Sequence, residues 1–191
     1  MKIHDKAFDK RINAILYFCR NVKYPGKTKI YKLLYFLDFI HFKQVGKPVT
    51  DLEYYAYDYG PVPLKFHKEI AENRIPADMK KCIEISAQKD AITGETKIIE
   101  FFPKTKPDLG VFSEREIKIL ENVALIYKNA KAEEMSEVSH LKNEPWDQTI
   151  KRIGKFKRID FMLALDKDAQ IERSTAEERM RHIKEMKDLF S

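Results

Sequence analysis

KIYKLLYFLDFIHF, residues 29–42, decides how the rest of the chain must be arranged. Ile30, Leu33, Leu34, Leu37 and Ile40 recur at helical spacing, while Tyr31, Tyr35, Phe36, Phe39 and Phe42 fill the remaining directions. A helix over about 28–44 is therefore apolar on nearly every side and has to be wrapped by other elements. Gly46 supplies its stop, and Pro48 prevents continuation. The fold expected is mainly α with a small β-sheet, an α+β helical bundle around this buried central helix.

Before it, Ala7, Phe8, Ile12, Ile15, Leu16 and Cys19 form the stripe of an amphipathic helix over 6–22, ended by YPGK at 24–27. After it, EYYAYDYGPVP at 53–63 predicts a short strand over 52–59. Gly60, Pro61 and Pro63 close that strand and seed a helix to about residue 73. CIEISA at 82–87 and KIIEFF at 97–102 are β-rich runs that read as a β-hairpin, with Thr93-Gly94 as its turn. FSEREI at 112–117 opens the second half: Ser113 and Glu116 have capping-box spacing, and Phe112 can staple against Ile117. That helix runs to about residue 128, a further one covers 132–141, and Pro145-Trp146 breaks the pattern. The run IDFMLAL at 159–165 fits helix and strand alike. The last helix, capped at Ser174 or Thr175, carries Met180, Ile183, Met186 and Phe190 on one face.

Composition bounds the function. The 191 residues are 43% hydrophobic, enough for a core, and 36 Lys and Arg against 30 Asp and Glu give a net charge of +6. That excess is spread over the chain, and the densest basic stretch, KRIGKFKR at 151–158, is short and interrupted by apolar residues. At most weak or indirect nucleic-acid binding is expected. Cys19 and Cys82 sit in apolar contexts and read as buried small hydrophobes, which fits a reducing cytoplasm. The first residues lack a signal-peptide core, and the apolar run of the central helix is too short and too polar for a membrane span. A cytoplasmic protein is expected.

Few residues suggest chemistry. The five histidines show no ligand spacing, CxxC is absent, and neither a phosphate loop nor a nucleophile elbow occurs, so neither metal nor cofactor nor catalytic residue is expected. Asp38 and His41 can share a helix face; a satisfied hydrogen-bonded pair is the expectation. On the strand, Tyr55, Tyr57 and Tyr59 point one way and Tyr54 and Ala56 the other, toward the central helix. The odd-numbered rings either fill a core rim or serve a partner. His140 and Trp146 present the same choice between a buried corner and a recognition element. Gly60-Pro61 positions the following helix, because glycine takes angles other residues cannot and proline pushes it from helical ones.

Three separated pieces resemble one family. KIYKLLYFLDF at 29–39, GKPVTDLEYYAYDYGPVP at 46–63 and MSEVSHLKNEPW at 135–146 are similar, in order and spacing, to motifs of the Panacea domain, the antitoxin SocA-like family. Tyr31, Met135 and Ser139 depart from the usual residue types while keeping size or polarity. The resemblance implies a domain over 1–153; 154–191, outside it, is expected to be an extension whose final amphipathic helix packs on the same domain. It also implies a non-enzymatic cytoplasmic antitoxin that binds a toxin encoded by an adjacent gene. Motif positions carried over are Lys29, Lys32, Leu33, Leu34, Tyr35, Gly60, Pro61 and Pro145; the partner-binding candidates are Tyr55, Tyr57, Tyr59, His140 and Trp146. A DNA-binding regulator is the alternative, since two helices joined by a Pro-Gly turn and followed by a hairpin outline a winged-helix order. Its weakness is the second helix, where Lys29, Lys32 and Lys43 are too scattered among aromatics to read base edges.

Overall fold

Among the described residues, seven α-helices and two small antiparallel sheets accompany the helix that the sequence placed at the centre. A computed structural model describes residues 5–89 and 96–190. In chain order these hold α1 (Lys6–Asn21), α2 (Lys27–Val45), β1 (Tyr54–Tyr57), β2 (Gly60–Pro63), α3 (Leu64–Ala71), α4 (Ala77–Cys82), β3 (Ile83–Lys89) and β4 (Thr96–Pro103). The second half adds α5 (Glu114–Ile126), α6 (Ala132–Ser139), α7 (Pro145–Ile153) and α8 (Arg173–Phe190). The fold is mainly α with a small β component. Thr93-Gly94 lies outside the described residues.

Twelve of the nineteen residues of α2 are buried, so this helix is a core element and not one that can enter a DNA groove. Its N-terminus is held by Lys29, whose buried Nζ donates to the carbonyls of Lys23 (2.8 Å) and Ala130 (2.6 Å). Gly46, at φ 65°, ends the helix in the left-handed conformation expected of it. Asp38 then ties the next loop back to the helix. Its Oδ1 accepts from the amides of Val49 and Thr50, and its Oδ2 accepts from the hydroxyls of Thr50 and Tyr54. Burial pushes the Asp38 carboxyl up to about 6 against the pull of these four donors. The neighbouring His41 Nδ1 lies 2.8 Å from the Lys47 carbonyl, so both polar residues of this turn are satisfied structurally.

α5 starts where expected. Ser113 and Glu116 form the complete capping box, and Glu116 also takes both hydrogen bonds of the Lys10 ammonium, at 2.7 and 2.8 Å, joining α5 to α1.

Several local expectations are corrected. Gly60–Pro63 is not merely the end of a strand: it is β2, paired with β1 in the register Tyr54↔Pro63, Ala56↔Pro61, Tyr57↔Gly60. Prolines fit here because Tyr54 and Ala56 turn their backbone groups the other way, toward residues 156–159. The Ala56 amide donates to the Lys157 carbonyl (2.9 Å), and the Phe156 and Ile159 amides donate to Ala56 and Tyr54 (2.8 Å each). Pro61 and Pro63 thus occupy positions where no N–H is needed. Pro145 opens α7 as its first residue instead of only ending what precedes it. α4 was unforeseen, and Cys82 ends that helix instead of starting β3. Residues Phe161–Ala164 form one turn of 3-10 helix, and α8 begins at Arg173, one residue before its expected cap. Cys19 and Cys82 are half-buried and free, and burial pushes the Cys19 thiol up to about 12.

The segment after residue 153 lies against the rest of the chain. Besides the pairing with β1, the Gln170 amide donates to the Lys43 carbonyl (3.0 Å), and Arg179 Nη1 donates to that of Val45 (2.6 Å), covering the C-terminal end of α2. Ala176 packs so closely on Gly46 that a Cβ there would come within 2.9 Å of its Cα.

Candidate functional site

The three motif-bearing stretches meet at the tip of the β1–β2 hairpin. Asp58 and Tyr59 form the turn, and the strand returns at Gly60 with φ 110°, a value that strains any side-chain-bearing residue. The tip is held by side chains from three helices. Lys32 of α2 donates from Nζ to the Tyr59 carbonyl (2.8 Å) and to Ser139 Oγ (3.2 Å). The Ser136 hydroxyl of α6, which donates to the Ala132 carbonyl at 2.9 Å, lies 3.3 Å from the same Tyr59 carbonyl, and Trp146 of α7 donates from Nε1 to the Tyr57 carbonyl at 2.9 Å. A Cβ at Gly60 would overlap the Lys32 ammonium and reach within 3.0 Å of Ser139 Oγ, so the glycine is required by approach as well as by angle.

Lys32 is only 1% exposed, and its Nζ meets neutral acceptors instead of a carboxylate. Burial accordingly lowers its pKa to about 8. Such a charge is poor value for stability alone, since an apolar residue of similar length would fill the space. What it secures is the position of the tip.

Beside it, His140 ends α6 and stacks on Trp146 with ring centroids 3.7 Å apart and planes 18° from parallel. Burial and then the Lys32 charge lower the His140 pKa, which keeps the ring neutral; its buried Nε2 has no hydrogen-bond partner among the described residues. Outside this pinned core lie aromatic rings. Tyr59 is 83% exposed at the turn, and Phe156, 56% exposed with φ 61°, sets its ring edge-on to Tyr57 at 4.9 Å. An ion pair between Asp58 and Lys155 links the turn to this loop.

Of the sequence candidates, Tyr57, Tyr59, His140 and Trp146 surround this tip, whereas Tyr55 lies farther along β1, half-buried and bridged to Arg158. The three odd-numbered tyrosines do not form one row, because Tyr59 belongs to the turn and not to the strand. Among the motif positions, Lys32 and Gly60 form the lock, and Pro61 sits in β2 and Pro145 at the start of α7, both buried. Lys29, Leu33, Leu34 and Tyr35 belong to the core. Phe156 was missed. An aromatic residue two positions after Gly154 inside a basic run was the available signal.

The profile of one protein family, described as antitoxin SocA-like, Panacea domain, matches residues 30–147. The chain belongs to the antitoxin SocA-like, Panacea domain family. The match contains α2 from Ile30 onward, the hairpin, α6 and the Pro145-Trp146 pair, so all the parts of the tip lock lie within the family region. Phe156, the strand-like segment beside β1 and α8 lie beyond it. No curated protein and no solved structure matches the chain. Among the described residues, no three His, Cys, Asp or Glu side chains are grouped to hold a metal ion, and no helix is long and apolar enough to cross a membrane.

Proposed function

We propose that the protein is an antitoxin of a toxin-antitoxin pair, neutralising a cognate toxin by direct protein–protein binding in the cytoplasm without chemistry of its own. The observation that carries this reading is the hairpin tip: exposed Tyr59 and Phe156 mounted on a backbone pinned by Lys32 and Trp146. Exposed aromatic rings on a rigid frame suit binding, because they bury large area while losing little conformational freedom. Membership of the Panacea family supports the nature of the partner. Residues 1–153 act as the Panacea domain, with 154–191 packed on it and contributing Phe156 to the binding face. The burial of α2 argues against the winged-helix alternative, which needs that helix in a groove.

The test is co-expression with the product of the adjacent gene. The wild-type chain is expected to restore growth and to co-purify with that product, and Tyr59→Ala with Phe156→Ala to lose both while remaining folded. A toxic neighbour that the wild-type chain neither binds nor neutralises contradicts the proposal.

A further inference from the structure

A cavity lies next to the hairpin tip, sharing Ser139 with it. It occupies about 230 Å³ between α2, the loop into α7 and the 3-10 turn, walled by Tyr35, Phe36, Phe39, Ile40, Pro145 and Leu163. Its volume suits one large side chain and falls below that of pockets for whole small ligands. Three charged groups line it: Lys43, Asp166 and Glu144. Lys43 and Asp166 are joined at 2.7 Å, which leaves Glu144 as the unmatched charge. The Glu144 carboxylate has no hydrogen bond or ion pair among the described residues and does not cap the helix it precedes. Tyr35 completes the site: its ring is 3% exposed, and its hydroxyl, approached by the Trp146 backbone amide, has no acceptor within hydrogen-bond distance among the described residues for its own proton.

We infer that this cavity receives a basic side chain of the protein partner, arginine better than lysine, with its stem along Phe36, Ile40 and Leu163 and its cationic head between Glu144 and the Tyr35 hydroxyl. An acidic side chain would meet Glu144 with like charge. An apolar one would leave a carboxylate and a phenol covered and unpaired, which costs binding energy. A long basic side chain has the apolar stem and the donors that this lining lacks. The positive end of α7 only partly answers Glu144, its N-cap residue, whose side chain makes no cap hydrogen bond. Burial raises the Glu144 pKa above its ordinary value, with Lys43 only partly offsetting it, as expected of a carboxylate without its own cation. The cavity adjoins the hairpin tip through Ser139 and Pro145, so one partner can reach both.

This inference rests on the reading of the chain as a protein-binding module, but its test needs no toxin. The full chain is titrated with N-acetyl-arginine amide and, separately, with N-acetyl-norleucine amide, reading amide shifts around Ile40 and Leu163 and the emission of Trp146. The arginine probe is expected to saturate in the millimolar range, with norleucine roughly tenfold weaker. Glu144→Gln is expected to weaken the arginine probe about tenfold, and Tyr35→Phe to weaken it several-fold. Absence of saturation by about 50 mM, shifts confined to another surface, equal binding of norleucine, or unchanged binding in both variants overturns the inference. A failed titration with intact toxin neutralisation removes the pocket alone; a successful titration without neutralisation removes the antitoxin reading alone.

Discussion

Replacing Gly60 by Ala tests whether the hairpin tip is built as described. Two costs follow from the geometry. Alanine at φ 110° pays backbone strain of about 1–2 kcal/mol. Its Cβ would also occupy the place of the Lys32 ammonium, and because that group is buried, moving it sacrifices its bonds to the Tyr59 carbonyl and Ser139. A hydrogen bond from a charged donor contributes about 1.5–3 kcal/mol, so the total is about 2.5–5 kcal/mol even if the weaker Ser139 contact is ignored. The second cost depends on Lys32 and the first does not. Lys32→Met alone should stay within about 1 kcal/mol of wild type, since the Ser136 hydroxyl, 3.3 Å from Tyr59 O, can turn from the Ala132 carbonyl to that oxygen and an apolar replacement removes the desolvation penalty. In that background Gly60→Ala should cost only the strain term, a coupling of about 2 kcal/mol. Urea unfolding of the four proteins at constant m-value measures it. A Gly60→Ala protein within 1 kcal/mol of wild type, or a strictly additive cycle, would refute the reasoning.

Glu116→Gln should destabilise by about 1–2 kcal/mol at neutral pH through the loss of the Lys10 ion pair, while its amide oxygen still accepts from the Ser113 amide and keeps the capping box. Burial pushes the Glu116 carboxyl up, but Lys10 and the Ser113 amide outweigh it and hold it below 4.5; its contribution is therefore present above pH 4.5, and the gap between variant and wild type should close as pH falls further. Asp38→Asn should cost about 2 kcal/mol or more, because an amide nitrogen faces the Thr50 and Tyr54 hydroxyls that the carboxylate accepted. Its pH sign is opposite. With a folded value of about 6 against 3.8, Asp38 favours folding most below pH 3.8 and loses that contribution as pH rises through 6, so the gap to the variant should widen on acidification in urea titrations. Trp146→Ala should cost about 2–3 kcal/mol in a thermal melt, reflecting a half-buried ring, its stack on His140 and its bond to Tyr57; an unchanged melt would contradict that anchoring.

What could be read from the residues was whatever local patterning controls. The all-round apolarity of residues 29–42 announced a buried central helix, and Ser113 with Glu116 announced the start of α5, because both are local in the chain. β2 escaped notice since prolines argue against a strand unless the partner's backbone is known to face elsewhere, and that depends on residues 156–159, about a hundred positions away. The site was legible as separate residues. Lys32, Gly60, His140 and Trp146 stood in motifs, yet nothing in their spacing said that Lys32 would lie against Gly60 or that His140 would stack on Trp146. Phe156 carried only the signal of an aromatic residue inside a basic run, and the Tyr35–Glu144 cavity depends on three-dimensional placement alone.

The most direct measurement of the central claim is neutralisation itself, in cells carrying the adjacent gene under an inducible promoter. With the wild-type chain co-expressed, growth should recover and the two products should purify as one complex. Tyr59→Ala with Phe156→Ala should keep the wild-type melting temperature to within a few degrees and weaken the complex by about thirtyfold or more, since interface anchors cost about 2 kcal/mol or more on truncation. Persistent toxicity beside a folded, abundant wild-type chain that forms no complex with the toxic product would contradict the account.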